Sequence, residues 1–278
     1  MQLNVFLTGA TGYIGSAIAD ALVSAGHSVA GLARTDAAAR KLEARGVTPL
    51  LGDLQSPATL AKAAAESDGV IHAGTTNDGA IDREAVRAML AARRDRAKPF
   101  IYTSGIWVLG DTGGQVADES WPVNPIPLVA WRPGVEQLAL DTAGIVIRPG
   151  VVYGRGGGIP ADLVKSARYV GTGENHWPLI HVDDLAALYV CALLYAKPGT
   201  LIHAVDGSRY SVRDIAMAAN PQAESWPLEE ARKTLGAFAD ALVIDQLVTS
   251  AWPKPASCEG PSGRPTLLED LRHGSYIK

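Results

Sequence analysis

Cysteine is scarce in this sequence. The two present, Cys191 and Cys258, lie far apart with no metal-ligand spacing around either. They support no metal site and read as the thiols of a reduced, cytosolic chain. Long apolar runs are missing too, since nothing approaches the ~20 residues of a membrane span. "MQLNVFLTG" has no basic lead, so no signal peptide is expected. Basic charge is not in excess. A formal net charge of -4 argues against nucleic acid or an anionic membrane surface as the main partner. "RRDR" at 93–96 is the only dense basic run, and it reads as a solvated helix face. There is no internal repeat and no low-complexity tract. What the 278 residues do have is 47% hydrophobic side chains against 19% charged, enough for one large domain or one and a half.

Short β-like runs alternate with helix-like segments through the first three quarters. "LNVFLT" (3–8), "HSVAGLA" (27–33), "VTPLLG" (47–52), "GVIHAG" (69–74), "PFIYTSG" (99–105) and "GIVIRPG" (144–150) are β-branched or near-continuously apolar, as strands covered on both faces are. Helical stretches occupy 12–25, 36–45, 57–66, 80–97 and 128–142. Ser56 is placed to cap the third, with Pro57 at its first position. Gly26 and Gly144 follow helices and precede strands, as terminating glycines do. Asp36 is placed to cap the second helix. Alternation of this kind predicts a parallel sheet with helices on both faces and a ligand beyond the carboxyl ends of the strands. Further on, helices are expected at 161–170, at 181–196 capped by Asp183 or Asp184, and at 211–219, with a strand at 201–205. The domain reading is 1–150 plus 181–219 for the sheet, and 151–180 plus 220–278 for a small, mostly helical substrate lobe.

"FLTGATGYIGSAI" sets Gly9, Gly12 and Gly15 between the first strand and the first helix. These glycines permit a tight turn, close approach to a pyrophosphate and close helix–strand packing, while the helix N-terminus offers N–H donors. Thr11, Tyr13 and Ile14 complete the loop. The second strand ends in Arg34 and Thr35 rather than an acidic residue, so a ribose 2′-phosphate fits better than a free hydroxyl. NADP(H) is thus preferred over NAD(H); the alternative for Arg34 is a solvated charge.

The TGxxGxxG spacing resembles the short-chain dehydrogenase/reductase superfamily in its extended or atypical branch. "GDL" (52–54), "VIHAG" (70–74), "YTSG" (102–105), "IRPGVVYG" (147–154) and "HVDDLA" (181–186) fall where the epimerase/dehydratase-type family has its landmarks. The resemblance implies an α/β Rossmann-type doubly wound sheet of order 3-2-1-4-5-6-7. It also implies that Asp53 and Leu54 frame the adenine and that Ala73 and Gly74 pass under the ribose and phosphates. Thr103 then joins the cofactor site, and Pro149, Val151 and Val152 flank the nicotinamide. For Asp53 a turn carboxylate is the alternative.

The same resemblance exposes a gap. The family opens the helix after the fifth strand with Tyr-x-x-x-Lys; here those positions hold Leu128 and Arg132, and Gly105 stands at the reactive Ser/Thr position. Arg132 can donate hydrogen bonds to the nicotinamide ribose, as a cofactor-binding residue, and keep a positive potential there, but a guanidinium does not deprotonate. The catalytic candidates are therefore Arg132, Ser104 and Tyr153, with His176 another conceivable donor; the bland alternatives are a surface arginine and structural hydroxyls. His181 is expected to order the turn before its helix. Trp107, Trp131, His176 and Trp177 are expected to wall an aromatic substrate pocket. A site without a strong acid suits hydride transfer to an activated C=C or C=N, or to a carbonyl that tolerates it. The alternatives are a nucleotide-sugar epimerase or dehydratase and a non-enzymatic NADP(H)-binding regulator. No metal, nucleic acid or membrane partner is expected. A monomer or a homodimer is, the latter by resemblance through the helices at 80–97 and 128–142.

Overall fold

The computed structural model describes all residues except 1, 94, 96, 254, 256–257, 259–263 and 278. β1 (Asn4–Thr8), α1 (Tyr13–Ser24), β2 (Ser28–Ala33), α2 (Asp36–Glu43), β3 (Thr48–Leu51), α3 (Pro57–Glu66), β4 (Gly69–His72), α4 (Gly79–Ala92) and β5 (Phe100–Thr103) alternate without a break. Next come β6 (Val116–Ala117), α5 (Arg132–Asp141), β7 (Ile145–Pro149), β8 (Val151–Tyr153), α6 (Pro160–Ser166) and β9 (Arg168–Val170). β10 (Leu179–His181), α7 (Val182–Tyr195), β11 (Leu201–Ala204) and α8 (Val212–Ala219) follow. The chain finishes with β12 (Glu224–Trp226), α9 (Leu228–Leu235), α10 (Phe238–Val243), β13 (Leu247–Val248) and α11 (Leu267–His273).

Seven strands make one parallel sheet in the order β11-β7-β5-β4-β1-β2-β3, the doubly wound arrangement expected. Adjacent residues of each strand point to opposite faces, and both faces are covered. Leu7, Ile71 and Ile147 meet Ile18 and Leu22 of α1 and Tyr189 of α7. Their neighbours Phe6, Val70 and Val146 meet Leu60 of α3, Met89 of α4 and Val135 of α5. Each such fully buried side chain contributes roughly 1.5–3 kcal/mol, which explains why β4 and β7 carry no exposed position. One polar device crosses this core. Arg148 of β7 clamps Glu136 of α5 through Nε–Oε1 at 2.9 Å and Nη2–Oε2 at 2.6 Å. Both side chains are only 4% exposed. The clamp fixes the helix whose first residue is Arg132.

A second core, built from Tyr153, Trp177, Val212, Ile215, Leu267 and Leu271, forms the small lobe. α8, grouped above with the sheet domain, packs instead on α6 and α11. Its apolar face has nowhere else to go, because β11 is the edge strand and no later strand continues the sheet.

Several local expectations change. α5 starts at Arg132 rather than 128, and Pro127–Val129 forms a separate 3-10 turn. Pro133 has no N–H to continue a helix backwards. The helix expected over 161–170 stops at Ser166, where Ala167 turns left-handed (φ 50°), and 168–170 pairs as β9 with β12. Thr35, not Asp36, caps α2, its hydroxyl accepting from the Ala38 N–H. His181, not an aspartate, caps α7, its Nδ1 accepting from the Asp183 N–H at 3.2 Å. Ser56 makes no side-chain cap and donates to Asp53 instead. After α5 it is Ala143 that takes positive φ (61°), while Gly144 is required by its approach to the Ala139 carbonyl. Of the basic run, Arg93 is buried and donates to the Thr142 carbonyl; 94 and 96 lie outside the described residues.

The largest correction concerns the cysteines. Cys191 of α7 and Cys258 form a disulfide. The segment after α10 lies along β6 and returns to α7, closing a separation of 67 residues that chain spacing gave no reason to close. The expectation of a reduced chain, and the compartment inferred from it, lose their support. Among the described residues no helix is long and apolar enough to cross a membrane.

Candidate active site

Two cavities meet at the carboxyl ends of the strands. The first, about 570 Å3, is a cradle built mostly of backbone and small side chains. Gly9, Thr11 and Gly12 come from the β1–α1 loop, Arg34 and Thr35 from the end of β2, Asp53 and Leu54 from the loop after β3, and Ala73 and Gly74 from the end of β4. Gly9 has φ +71°, and a Cβ there would sit 2.5 Å from the Ala73 carbonyl oxygen. Gly15 does not line the cradle; it lets α1 pass against the Gly9 carbonyl, where a Cβ would collide. The first turn of α1 has no side-chain cap and no acidic residue, unlike α2, α4, α8 and α11, which are capped by side chains. Uncapped N–H groups over a glycine floor fit a diphosphate. Asp53 lines the cradle yet also accepts from the Gln55 N–H (2.9 Å) and the Ser56 hydroxyl (2.8 Å), so its turn role is realised alongside.

Beneath the cradle runs a buried chain that sequence reasoning missed. Tyr102 donates to Asp82 at 2.9 Å, Asp82 meets His72 Nε2 at 3.0 Å, and His72 Nδ1 meets Thr8 Oγ1 at 2.9 Å. Thr8 in turn accepts from the Gly74 N–H at 3.1 Å. Burial, with Asp82 alongside, drives the Tyr102 phenol far above its ordinary range. The chain pins Gly74 and offers no titratable group to the cavities. The signal was present in "VIHAG", where a histidine interrupts an otherwise apolar buried strand.

The second cavity, about 470 Å3, begins where the first ends, with Tyr13 and Ile14 directly after Gly12. Pro149, Val151 and Val152 form its floor, Trp107, Trp131 and Leu128 its walls, and Ser104 and Arg132 its polar face. Phe238 of α10, unforeseen from sequence, adds a wall and meets Trp107 edge-on at 6.0 Å. Arg132 sits at the mouth of α5, donating from Nη1 to the Thr103 carbonyl at 3.0 Å and lying 4.7 Å from the Trp131 ring centroid. Thr103 itself lines neither cavity; its hydroxyl accepts from buried Tyr189 at 2.7 Å, so it supports the site from behind. Ser104 is 7% exposed, and its Oγ is buried with no hydrogen-bond partner among the described residues. A buried hydroxyl without a partner beside a cavity leaves hydrogen-bonding capacity unused.

Among the described residues, no carboxylate or imidazole lines this cavity. Its one phenol, Tyr13, donates to the Gly154 carbonyl at 2.7 Å, and burial raises its pKa strongly. Three expected participants are elsewhere. Tyr153 is 4% exposed in the small-lobe core, donating towards Asp206 (3.3 Å) and stacked edge-on with His181; burial pushes its phenol well above the ordinary range. Val151 and Val152 of β8 line the cavity; Tyr153, on the same face as Val151, packs with it in the small-lobe core and does not. His176 is tied to Asp245 through Nδ1 at 2.9 Å and lines no part of the cavity. Trp177 is 3% exposed and donates to the Leu242 carbonyl at 3.2 Å.

Comparison with known proteins agrees with this geometry. Residues 9–128 match the NAD(P)H-binding family. The uncharacterized protein YLL056C of Saccharomyces cerevisiae is 35% identical over 97% of this chain and 98% of its own. The 4-hydroxy-2-methyl-3-oxo-4-farnesyl-3,4-dihydroquinoline-1-oxide ketoreductase of Stigmatella aurantiaca is 31% identical over 76% of this chain and 70% of its own. In fold, the human epimerase family protein SDR39U1 with NADPH superposes with a TM-score of 0.75 at 19% identity, covering 98% of this chain and 99% of that one. With the glycine cradle intact and relatives this similar along most of their length, the chain belongs to the NAD(P)H-binding family of these proteins and shares the fold of SDR39U1.

Proposed function

We propose that this protein is an NADP(H)-dependent oxidoreductase that delivers hydride to an activated C=C, C=N or carbonyl of a small hydrophobic or aromatic molecule. The observation that carries the reading is the second cavity. It adjoins the coenzyme cradle, has indole and aliphatic walls, and bears a buried serine hydroxyl without a partner. A reduced nicotinamide nucleotide held by Gly9, Thr11, Gly12, Asp53, Leu54, Ala73 and Gly74 would supply the hydride when bound. The rest is done by the chain. Ser104 Oγ donates to the substrate heteroatom on which negative charge develops, a role worth more in a water-excluded site than in bulk solvent. Arg132 holds positive potential beside it without exchanging a proton. Leu128, where the family's tyrosine would stand, contributes only an apolar surface. Proton delivery is thus left to solvent, which favours substrates whose reduced form is a resonance-stabilised anion or whose acceptor is already protonated.

Arg34, exposed at the cradle's edge beside Thr35, supports NADPH as the reductant, because a guanidinium pairs bidentately with a 2′-phosphate. The Stigmatella relative is named as the ketoreductase of a farnesylated dihydroquinoline-1-oxide, which agrees with a hydrophobic substrate bearing a carbonyl. The test is NADPH oxidation followed by absorbance against enones, imines, aldehydes and plain ketones, with NADH in parallel. Turnover confined to conjugated or iminium acceptors is expected. Efficient reduction of plain ketones would overturn the missing-acid argument. A second reading, a non-catalytic NADP(H)-binding regulator, is favoured by Leu128 alone; tight coenzyme binding with no turnover on any class would establish it.

A further inference from the structure

A third cavity, about 160 Å3, lies inside the small lobe and shares two walls, Ile159 and Phe238, with the second. Its interior surfaces are Leu163, Tyr169, Val170 and Trp177, with Leu235 and Leu242 closing it from α9 and α10. The Trp177 indole N–H already donates to the Leu242 carbonyl, so this wall presents only hydrocarbon. Asp162, Ser166 and Arg168, which touch the cavity, are exposed and mark its solvent end, and Tyr169 adds one buried phenol. A nucleoside diphosphate needs several buried donors for its phosphates. Among the described residues the compartment offers only that phenol, and its one cation, Arg168, lies 5.8 Å from the Trp226 ring centroid at the exposed edge.

We infer that this compartment receives the hydrocarbon tail of the substrate, with Phe238 and Ile159 as the partition between reacting head and tail. The inference rests on the proposed reductase reading only for where the head sits. Burying an apolar tail is favourable in proportion to the area removed from water. Chain length should therefore set specificity, and Phe238, flanked by Trp107 on one side and the compartment on the other, should set how a tail passes between the two.

The test uses 2-alkyl-1,4-naphthoquinones with methyl, butyl and octyl tails and the full chain. Binding is read by quenching of tryptophan emission, since Trp177 and Trp226 line the compartment; turnover is read by NADPH oxidation. Affinity is expected to rise about fourfold per methylene, equivalent to ~0.8 kcal/mol, until the compartment is full. Leu235→Trp should flatten the series, bringing the octyl-to-methyl affinity ratio towards one. Phe238→Ala should shift the optimum to bulkier or branched tails. Chain-length-dependent binding without NADPH oxidation keeps the compartment and defeats the reductase reading. Oxidation of NADPH at a rate indifferent to tail length, with binding equally indifferent, does the reverse. Displacement of the octyl quinone by UDP, or no binding by any member of the series, also overturns the inference.

Discussion

The two halves of the site are made of different material. The cradle is made of main chain: glycines that admit no Cβ, uncapped N–H groups, and a carbonyl packed against the loop. The second cavity is made of side chains drawn from seven separate stretches between Tyr13 and Phe238. Backbone geometry is shared by all members of a fold, whereas side-chain walls can be exchanged one at a time. A chain can therefore keep its coenzyme cradle intact while a wall residue such as Leu128 varies.

This contrast can be broken or sharpened at several points. The largest effect should come from Glu136→Ala, which leaves Arg148 charged and buried and should cost about 3–5 kcal/mol in urea unfolding. Because the clamp seats α5, the same variant should weaken the cavity side before the cradle, so coenzyme affinity should outlast turnover as urea is raised. Loss of both together would show the halves to be one cooperative unit. Gly9→Ala tests the cradle alone. The left-handed backbone and the clash with Ala73 together should cost roughly 2–4 kcal/mol and remove measurable NADPH binding by calorimetry. Normal affinity in that variant would mean the phosphates do not lie over this loop.

Smaller effects are more selective. Arg34→Ala should reduce NADPH affinity about ten- to a hundredfold, the worth of charge-assisted hydrogen bonds, and leave NADH affinity unchanged. An equal loss for both coenzymes would remove the argument for a 2′-phosphate contact. Ser104→Ala should separate function from stability. It removes an unpaired buried hydroxyl, so the melting temperature should hold or rise while kcat/KM falls about tenfold or more. A drop in melting temperature would mean that Ser104 has a structural partner. The smallest effect is on pH. Burial holds the imidazoles of His181 and His203 below their ordinary range. The unfolded chain takes up protons that the native one refuses, so stability is full above ~6.5 and declines as pH falls below it. Urea midpoints at neutral and mildly acidic pH should differ in that direction, and His203→Gln should reduce the difference.

What the sequence revealed follows the same division. Gly9, Gly12, Arg34 and Asp53 could be placed because a cradle of main chain leaves its signature in local spacing, and Gly15 because the helix must pack closely on that loop. Ser104, Arg132, Trp107 and Trp131 could be placed because they follow strand ends. Tyr153 also follows a strand end, but its ring is taken up by the small-lobe core with Trp177 and Leu267, a packing that only the folded lobe reveals. His176 and Trp177 lie in an irregular loop whose path no periodicity reports. Phe238 and the pairing of Cys191 with Cys258 were invisible for a related reason. Both depend on where the last part of the chain returns, and only the completed tertiary structure determines that.

That return has an effect on the order in which the molecule is made. Gln246 donates to the carbonyls of Ile106 and Gly110, Thr112 accepts from the Leu247 N–H, and Glu119 accepts from Ser250 and Ala251, so the segment bearing Trp107 is fastened by residues synthesised near the end. The cradle's lining, by contrast, is complete by Thr76. On the ribosome the cradle is finished early, and the walls of the second cavity wait for the tail to be threaded back and tied to α7.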